Sequence, residues 1–289
     1  GLATDALLQR ASDVTADGSG NLFISDNCNS RVRVVNQGGY ITTLAGDGAR
    51  AAGGDAPVAA TSILLSEVGA VASCLHGVLV FAEGNRLRQL TWNSLAAPTD
   101  ATIETIATGL TDDPQNPGVS LGPVVDLSCG AENEYLYGAG RYVFRVNVVN
   151  GAREVVAGTG AGLFFCGPGG CPSAAVGSEA YLASLPLAGA GIAATQRGLG
   201  VVRGIARSVS GESFIAVTDT WTADGGSTPV AHILRIDPQG RISRLGGVGP
   251  DSDGPDGPPV GSGPIAARDL ALDAAGQLLV ATTGPLVRR

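Results

Sequence analysis

The feature that most constrains this chain is that it repeats itself. The segment from Ala3, ATDALLQRASDVTADGSGNLFIS, and the segment from Ala60, ATSILLSEVGAVASCLHGVLVF, share A-T-x-x-L-L followed by short apolar runs, at a constant offset of 57 residues. Apolar runs begin again near Asp126, Gly204 and Asp269. With Asp13, Ala70, Asp126, Gly204 and Asp269 taken as equivalent, the spacings are 57, 56, 78 and 65. A unit of about 60 residues that recurs in this way buries its apolar face by stacking on its neighbours.

Inside a copy the grammar is constant. A first strand, Ser12 to Asp17, meets a Gly- and Asn-rich turn, and a second strand, LFIS, follows from Leu22. A polar corner, DNCNS, then leads to RVRVV with its alternating arginines, a further Gly turn, and the fourth strand YITTLAG from Tyr40. The fourth-strand motif returns as IETIATG from Ile103, REVVAGTG from Arg153 and RISRLGGVG from Arg241. Two-residue alternation between Gly, Asn and Asp punctuation marks short antiparallel strands joined by hairpins. Four such strands cannot bury both faces of a sheet alone, whereas radial stacking covers both faces of every sheet. The sequence therefore predicts an all-β chain, a β-propeller of four-stranded antiparallel blades with five blade motifs, the last incomplete. We expect one propeller over residues 1–289, with blade cores near 12–46, 68–109, 124–160, 203–249 and 267–289 and insertions at 161–200 and 220–230. Because the fifth copy reaches only its third strand at Arg288-Arg289, we expect it to be completed by sequence outside this chain, with a sixth blade as the alternative. Residues 1–12 have weak strand character and are a poorer means of closure.

The block DVTADGSGNLFISDNCNSRVRVVNQGGYITTLAGDG, from Asp13, resembles the NHL repeat, and GGDAPVAATSILL, from Gly53, is similar to the glycine-rich linker between blades in bacterial and teneurin-type NHL arrays. The first copy matches closely. The others match loosely: Glu83-Gly84-Asn85-Arg86-Leu87-Arg88 keeps the arginine pattern but shortens the corner, and Arg141 and Arg145, then Arg235, then Arg288 retain one or two arginines each. The resemblance implies fold more than function, because NHL-like propellers include ligand binders, adhesion modules, sensor domains and some lyases.

Charge narrows the partners. The chain carries a formal −8 with a pI near 4.7, and its 18 basic residues are all arginines, scattered in ones and twos. A phosphate-binding surface needs clustered cations, so nucleic acid is excluded as the main partner. No run approaches the roughly 18 apolar residues of a membrane span, so no direct membrane insertion is expected. The 5 cysteines suit an oxidising compartment. Cys166 and Cys171 flank a Gly-Pro-Gly-Gly loop and are expected to form a local disulfide, the alternative being two thiols in a glycine loop. Cys74 and Cys129 end the first strands of neighbouring copies, where a bridge is possible but not compelled, leaving Cys28 as the odd sulfur.

Asp26, Asn29, Arg31 and Arg33 form the most motif-like polar cluster, and Arg86, Arg88, Arg145 and Arg235 are its later counterparts. We read them as blade-stabilising: Asp and Asn cap the turn while Arg pairs with an acidic group on an adjacent blade. The alternative is a corner that faces ligand. Gly118-Val119-Ser120-Leu121-Gly122 fits the hydrolase G-x-S-x-G, but a strand rather than a helix follows. Gly189-Ala190-Gly191 opens a dinucleotide-loop pattern with no βαβ unit around it. Asp251, Asp253 and Asp256 could bind Ca2+ on a Pro/Gly loop, but no bidentate Glu lies at the EF-hand spacing, and a solvated linker is the preferred reading. Asp17, Asp47 and Asp55 invite the same idea with less support. His76 and His232, the 2 histidines, are too few for a lyase-type axial metal plan.

These readings converge on a non-enzymatic protein-interaction or structural module of a larger secreted or cell-surface protein. No catalytic residue, cofactor or metal site is expected. Its partners are expected to be other protein chains or other domains of the same polypeptide, met through loops 161–200 and 220–230. The rivals are a propeller lyase or hydrolase with an axial metal, and a ligand-sensing ectodomain of a membrane receptor.

Overall fold

The computed structural model describes residues 1–74, 77–93, 100–130, 134–160, 192–223, 226–247, 267–283 and 287–288. The fold is an all-β β-propeller of antiparallel blades. Blade 1 is β1 (Ala11–Ala16), β2 (Leu22–Asp26), β3 (Arg31–Val35) and β4 (Ile41–Ala45) in sequential order. Blade 2 follows from β5 (Val58–Ala59), β6 (Val68–Ser73), β7 (Val78–Glu83), β8 (Arg86–Thr91) and β9 (Thr102–Thr108), ordered β5-β9-β8-β7-β6. Blade 3 is β10 (Val124–Cys129), β11 (Glu134–Ala139), β12 (Tyr142–Asn147) and β13 (Arg153–Ala157). Blade 4 uses β14 (Ile192–Ala193), β15 (Val201–Arg207), β16 (Ser213–Ala223), β17 (Gly226–Ile236) and β18 (Arg241–Gly246), ordered β14-β18-β17-β16-β15. A last sheet holds β19 (Ala267–Leu272), β20 (Leu278–Thr282) and β21 (Val287–Arg288).

Contacts divide the chain into two compact units. One is Gly1–Cys129 with Asn133–Tyr135 and Val146–Arg153, and the other is Gly130–Glu132 and Leu136–Arg145 with Glu154–Arg289. In the first, Phe23, Val32 and Leu44 of blade 1 share one buried cluster with Leu65, Val71 and Phe81. Each such side chain contributes about 1.5–3 kcal/mol on burial, so this cluster fixes blade 1 against blade 2. In the second, Ala216 and Ile233 of blade 4 pack with Leu270 and Val280 of the last sheet.

The turn chemistry is built from the sequence punctuation. Asp17 Oδ1 accepts the backbone N–H of Ser19 and Asn21 between β1 and β2, at 2.9 and 2.8 Å. Asp237 does the same for Gln239 and Arg241, and Asp273 for Ala275 and Gln277. Each turn closes on a glycine at positive φ, Gly20, Gly240 and Gly276. Such D-x-x-G corners set the hairpin register, and a register slip of one residue would turn the apolar face to solvent.

The A-T linkers become structural clasps. Ala3, Ala60 and Ala194 each open a one-turn 3-10 helix and donate their N–H to Gly39 O, Ala101 O and Gly240 O, all at 2.8 Å. The residues just before them pair with the outermost blade strand: Leu2 bridges Tyr40, β5 pairs with β9 and β14 pairs with β18. The carbonyls of Ala60 and Ala194 also accept from Gly46 and Gly158, which end the fourth strand of the preceding blade. One residue thus covers the exposed edge of its own blade and ties it to the previous one. Gly46 and Gly158 have φ of +90° and +101°, and a Cβ there would collide with Ser30 O and Arg141 O.

Residues 220–230, read from sequence as an inserted contact loop, instead extend β16 and β17 as a ribbon paired out to Ala223↔Gly226. Thr and Trp at Thr220, Trp221 and Thr222 favour paired strands, which is why the insertion lengthens a hairpin.

Candidate functional site

The polar corner of blade 1 is assembled around Asp26. Asn29 Nδ2 donates to both Asp26 carboxylate oxygens, at 2.9 and 2.8 Å, and to Leu7 O, while Gln9 N donates to Asp26 Oδ1 at 2.8 Å. Ser30 turns the corner at φ 51°, and Arg31 reaches Asp47 O at 2.9 Å and Asn29 O at 3.2 Å. Arg33 Nε meets no hydrogen-bond acceptor among the described residues. Burial pulls the Arg33 guanidinium below its ordinary pKa range, partly offset by Asp26 and reinforced by Arg31.

Blade 2 repeats the corner with a different acid. Arg88 Nε donates to Glu83 Oε2 at 2.7 Å, and both side chains are buried. Glu83 Oε1 accepts from Ser66 N and Oγ, as Asp26 accepts from Gln9, six residues past the linker Ala in each blade. Arg88 Nη1 also donates to Gly54 O and Thr105 Oγ1, and Arg86 Nη1 to Gly53 O, so the two arginines hold the loop that leads into β5. Asp55 on that loop accepts from Thr105 Oγ1 at 2.8 Å.

The arginine pairing corrects the sequence reading in one respect. Arg88 binds Glu83, Arg145 binds Glu154 and Arg235 binds Glu212, each within its own blade rather than on an adjacent one. Strand register decides this: Glu83 lies directly opposite Arg86, so the carboxylate is already beside the third strand. Side-chain links between blades are of other kinds: Arg153 Nη1 donates to Leu110 O and Asp112 O, Tyr135 Oη to Gln89 Oε1, and the first strands of blades 1 and 2 are joined as well. Asp13 Oδ2 accepts from Val71 N at 2.8 Å and Ser12 Oγ donates to Val68 O at 2.7 Å.

Cys74 and Cys129 form a disulfide, with Cα atoms 5.3 Å apart, joining the first strands of blades 2 and 3, and Cys28 is a free, half-buried thiol. The expected Cys166–Cys171 bridge, the Gly189 pattern, His76, and Asp251, Asp253 and Asp256 lie outside the described residues. Ser120 sits on an exposed loop, bridged to Asp112, and its Oγ accepts from Gly122 N, which is a turn rather than a nucleophile elbow. His232 is buried on β17 with Nδ1 2.8 Å from Gly247 O. Among the described residues, no three His, Cys, Asp or Glu side chains cluster closely enough to hold a metal ion. No helix among the described residues is long and apolar enough to cross a membrane.

What distinguishes blade 1 is its apolar exposure. Leu8 is 42% exposed, whereas Leu65, its equivalent one repeat on, is 0% exposed. Val14 is 57% exposed and its equivalent Val71 is 3% exposed. Leu2, Leu7, Leu22 and Tyr40 add to the same blade's exposed apolar surface. Sequence reasoning missed this surface, although the identical A-T-x-x-L-L in both copies marks the positions to compare.

These sheets place the chain in the structural class of β-propellers, and comparison with solved structures bears this out. The chain superposes on an auxiliary nutrient binding protein from Bacteroides ovatus with a TM-score of 0.53, at 9% identity over 95% of this chain and 57% of that one. A chain of the nidogen/laminin complex gives a TM-score of 0.51, at 8% identity over 95% and 73%. A catalytically inactive virginiamycin B lyase from Staphylococcus aureus gives 0.47, at 11% identity over 98% and 71%. At such identities the likeness is one of fold. No protein-family model matches the chain. No curated protein matches it by sequence.

Proposed function

We propose that this chain is a non-enzymatic protein-interaction module of a larger secreted or cell-surface protein, and that blade 1 carries the contact. The observation behind this is the exposure of Leu8 and Val14 at positions that are buried one repeat later. Contiguous exposed apolar surface on a rigid scaffold marks an interaction site more often than it marks a reaction site. In blade 2 the same positions are covered by the Phe23, Val32 and Leu44 face of a four-stranded sheet. The partner that fits is therefore an apolar sheet face, presented by another protein chain or by another domain of the same polypeptide. The Cys74–Cys129 bridge supports an oxidising, extracellular setting. The blade 1 motif from Asp13 to Gly48 supports an NHL-type reading of the repeat.

Photo-crosslinking in the native host tests this. Benzoylphenylalanine at Leu8 or Val14 is expected to capture a defined protein segment, while the same residue at Val209, equally apolar and fully exposed on blade 4, captures none. Equal capture at all three positions, or none at Leu8 and Val14, would overturn the proposal.

A further inference from the structure

The first strands of successive sheets carry an acid and a small residue in turn, Asp13, Ala70, Asp126, Gly204 and Asp269. Where the acid is present it closes on its own strand. Asp13 Oδ1 accepts from Val14 N, Asp126 Oδ1 from Leu127 N and Asp269 Oδ1 from Leu270 N, each at 2.7 Å. Blade 2 has Ala70 instead, and the matching N–H, of Val71, donates at 2.8 Å to Asp13 of the blade that covers it. Here the covering blade brings the acid that the covered strand lacks.

The converse holds at two strands that carry their own acid. β10, with Asp126, packs against β6, where Gly69 stands against Val124 O as Ser12 stands against Val68 O. That register puts Ala70 over Asp126. β19, with Asp269, packs against β15, where Gly204 takes the same place. A Cβ on Gly204 would come 2.7 Å from Asp269 Cα and 2.9 Å from its Oδ1. A second carboxylate at such a place would meet a like charge and find the N–H already taken. A seat with its own acid therefore admits Ala or Gly above it and rejects Asp.

Blade 1 carries its own acid, yet its covered positions stand open. Leu22 is 42% exposed and its equivalent Leu79 is 0% exposed, the same contrast that Leu8 and Val14 show with Leu65 and Val71. We propose that this face is the seat of a further blade of the same repeat, supplied by the larger polypeptide, whose first strand carries Ala or Gly at the position of Asp13. The inference rests on the interaction reading of the blade 1 surface and adds which partner that surface takes. Blades 1 and 2, and blade 4 and the last sheet, show the mode: the apolar face of one sheet covers the next in the same chain. A covering blade in the same polypeptide docks without the loss of translational freedom that a separate chain incurs.

Two experiments test the assignment. In the native polypeptide, benzoylphenylalanine at Val14 is expected to attach within the same polypeptide, to a blade whose first strand has Ala or Gly at the position of Asp13. Capture of a separate chain, of a second copy, or of a blade with Asp there overturns the proposal and leaves the interaction reading standing. Absence of capture overturns both. In the purified chain, a duplicate of residues 58–113 carrying Cys74→Ala is fused ahead of Gly1, which sets its Ala70 as far before Asp13 as Ala70 stands before Asp126. Hydroxyl-radical oxidation of Leu8 and Val14 is expected to fall to the level of the buried Val124 and Leu127. It is expected to stay high when the duplicate also carries Ala70→Asp. Unchanged oxidation in the first fusion, or equal protection by the second, overturns the proposal.

Discussion

Replacing Glu83 with valine copies into blade 2 what blade 4 already has at Val217, and the structure sets the cost. Arg88 and Glu83 are 0% and 1% exposed at their side chains, with Nε 2.7 Å from Oε2. Charge centres about 4 Å apart attract by about 4 kcal/mol at an effective dielectric of about 20. Desolvating both groups costs a similar amount, so the intact pair is close to neutral, and removal of one partner leaves the cost without the attraction. Glu83→Val is therefore expected to destabilise by about 3–5 kcal/mol. Arg88→Leu leaves Glu83 still accepting from Ser66 N and Oγ, and a loss of about 2–3 kcal/mol is expected. The double variant carries the Val217 and Leu234 pair of blade 4. It forfeits hydrogen bonds to Ser66, Thr105 and Gly54 but buries no lone charge, so it should cost about 1–3 kcal/mol, less than Glu83→Val alone. The coupling energy is then about 2 kcal/mol or more, measurable by equilibrium urea unfolding. Trp92 provides a local fluorescence reporter, because its ring packs 5.4 Å from Phe23 in the same cluster. Single effects that add to within about 0.5 kcal/mol would refute the reasoning, since independent sites behave that way.

Two further outcomes follow from the same structure. Reduction of Cys74–Cys129, which closes a loop of 55 residues, is expected to remove about 4 kcal/mol on the chain-entropy account. The urea midpoint should fall with reductant in the wild type and stay put in Cys74→Ala/Cys129→Ala; equal reductant sensitivity in both argues against a bridge there. The Arg241 N–H, accepted by Asp237, is the main cause holding that carboxyl below the ordinary range. Its contribution is present above the unfolded value of about 3.9 and is lost as pH falls below it. Asp237→Asn should therefore flatten the fall of Tm between pH 5 and 2, roughly the carboxylate range, and an acid limb parallel to wild type would contradict this.

Most of the fold was legible in the sequence because its determinants are local. Asp17, Asp237 and Asp273 build their corners from residues two and four positions on, and the glycine closing each corner is needed for its positive φ. What could not be read depends on register and on neighbours. Nothing local says that Arg88 will meet Glu83 rather than an acid of another blade; that follows from Glu83 lying opposite Arg86 across a hairpin. The third clasp was hidden because Ala194-Thr195 is followed by Gly198-Leu199 in place of Leu-Leu, although its backbone bonds match those of Ala3 and Ala60. The uncovered surface of blade 1 was invisible for a related reason: Leu8 and Leu65 sit in the same motif, and only their surroundings differ.

The difference between clasp and corner explains why the repeat can drift without losing the fold. The clasp uses only the N–H and C=O of one alanine, plus a glycine that makes room, so almost any side chain can follow it. Arg197 stands where blade 2 has Ile63, and the two backbones run alike. The corner, by contrast, is side-chain chemistry, and a change in one member strands the others unless something replaces it. Blade 1 retains the acid but leaves Arg33 Nε without an acceptor among the described residues, blade 2 completes the pair, and blade 4 has Val217 at the position of the acid and Leu234 at that of the arginine. A scaffold held by backbone bonds can tolerate such variation at its corners, because the bonds that join the blades do not depend on the side chains that change.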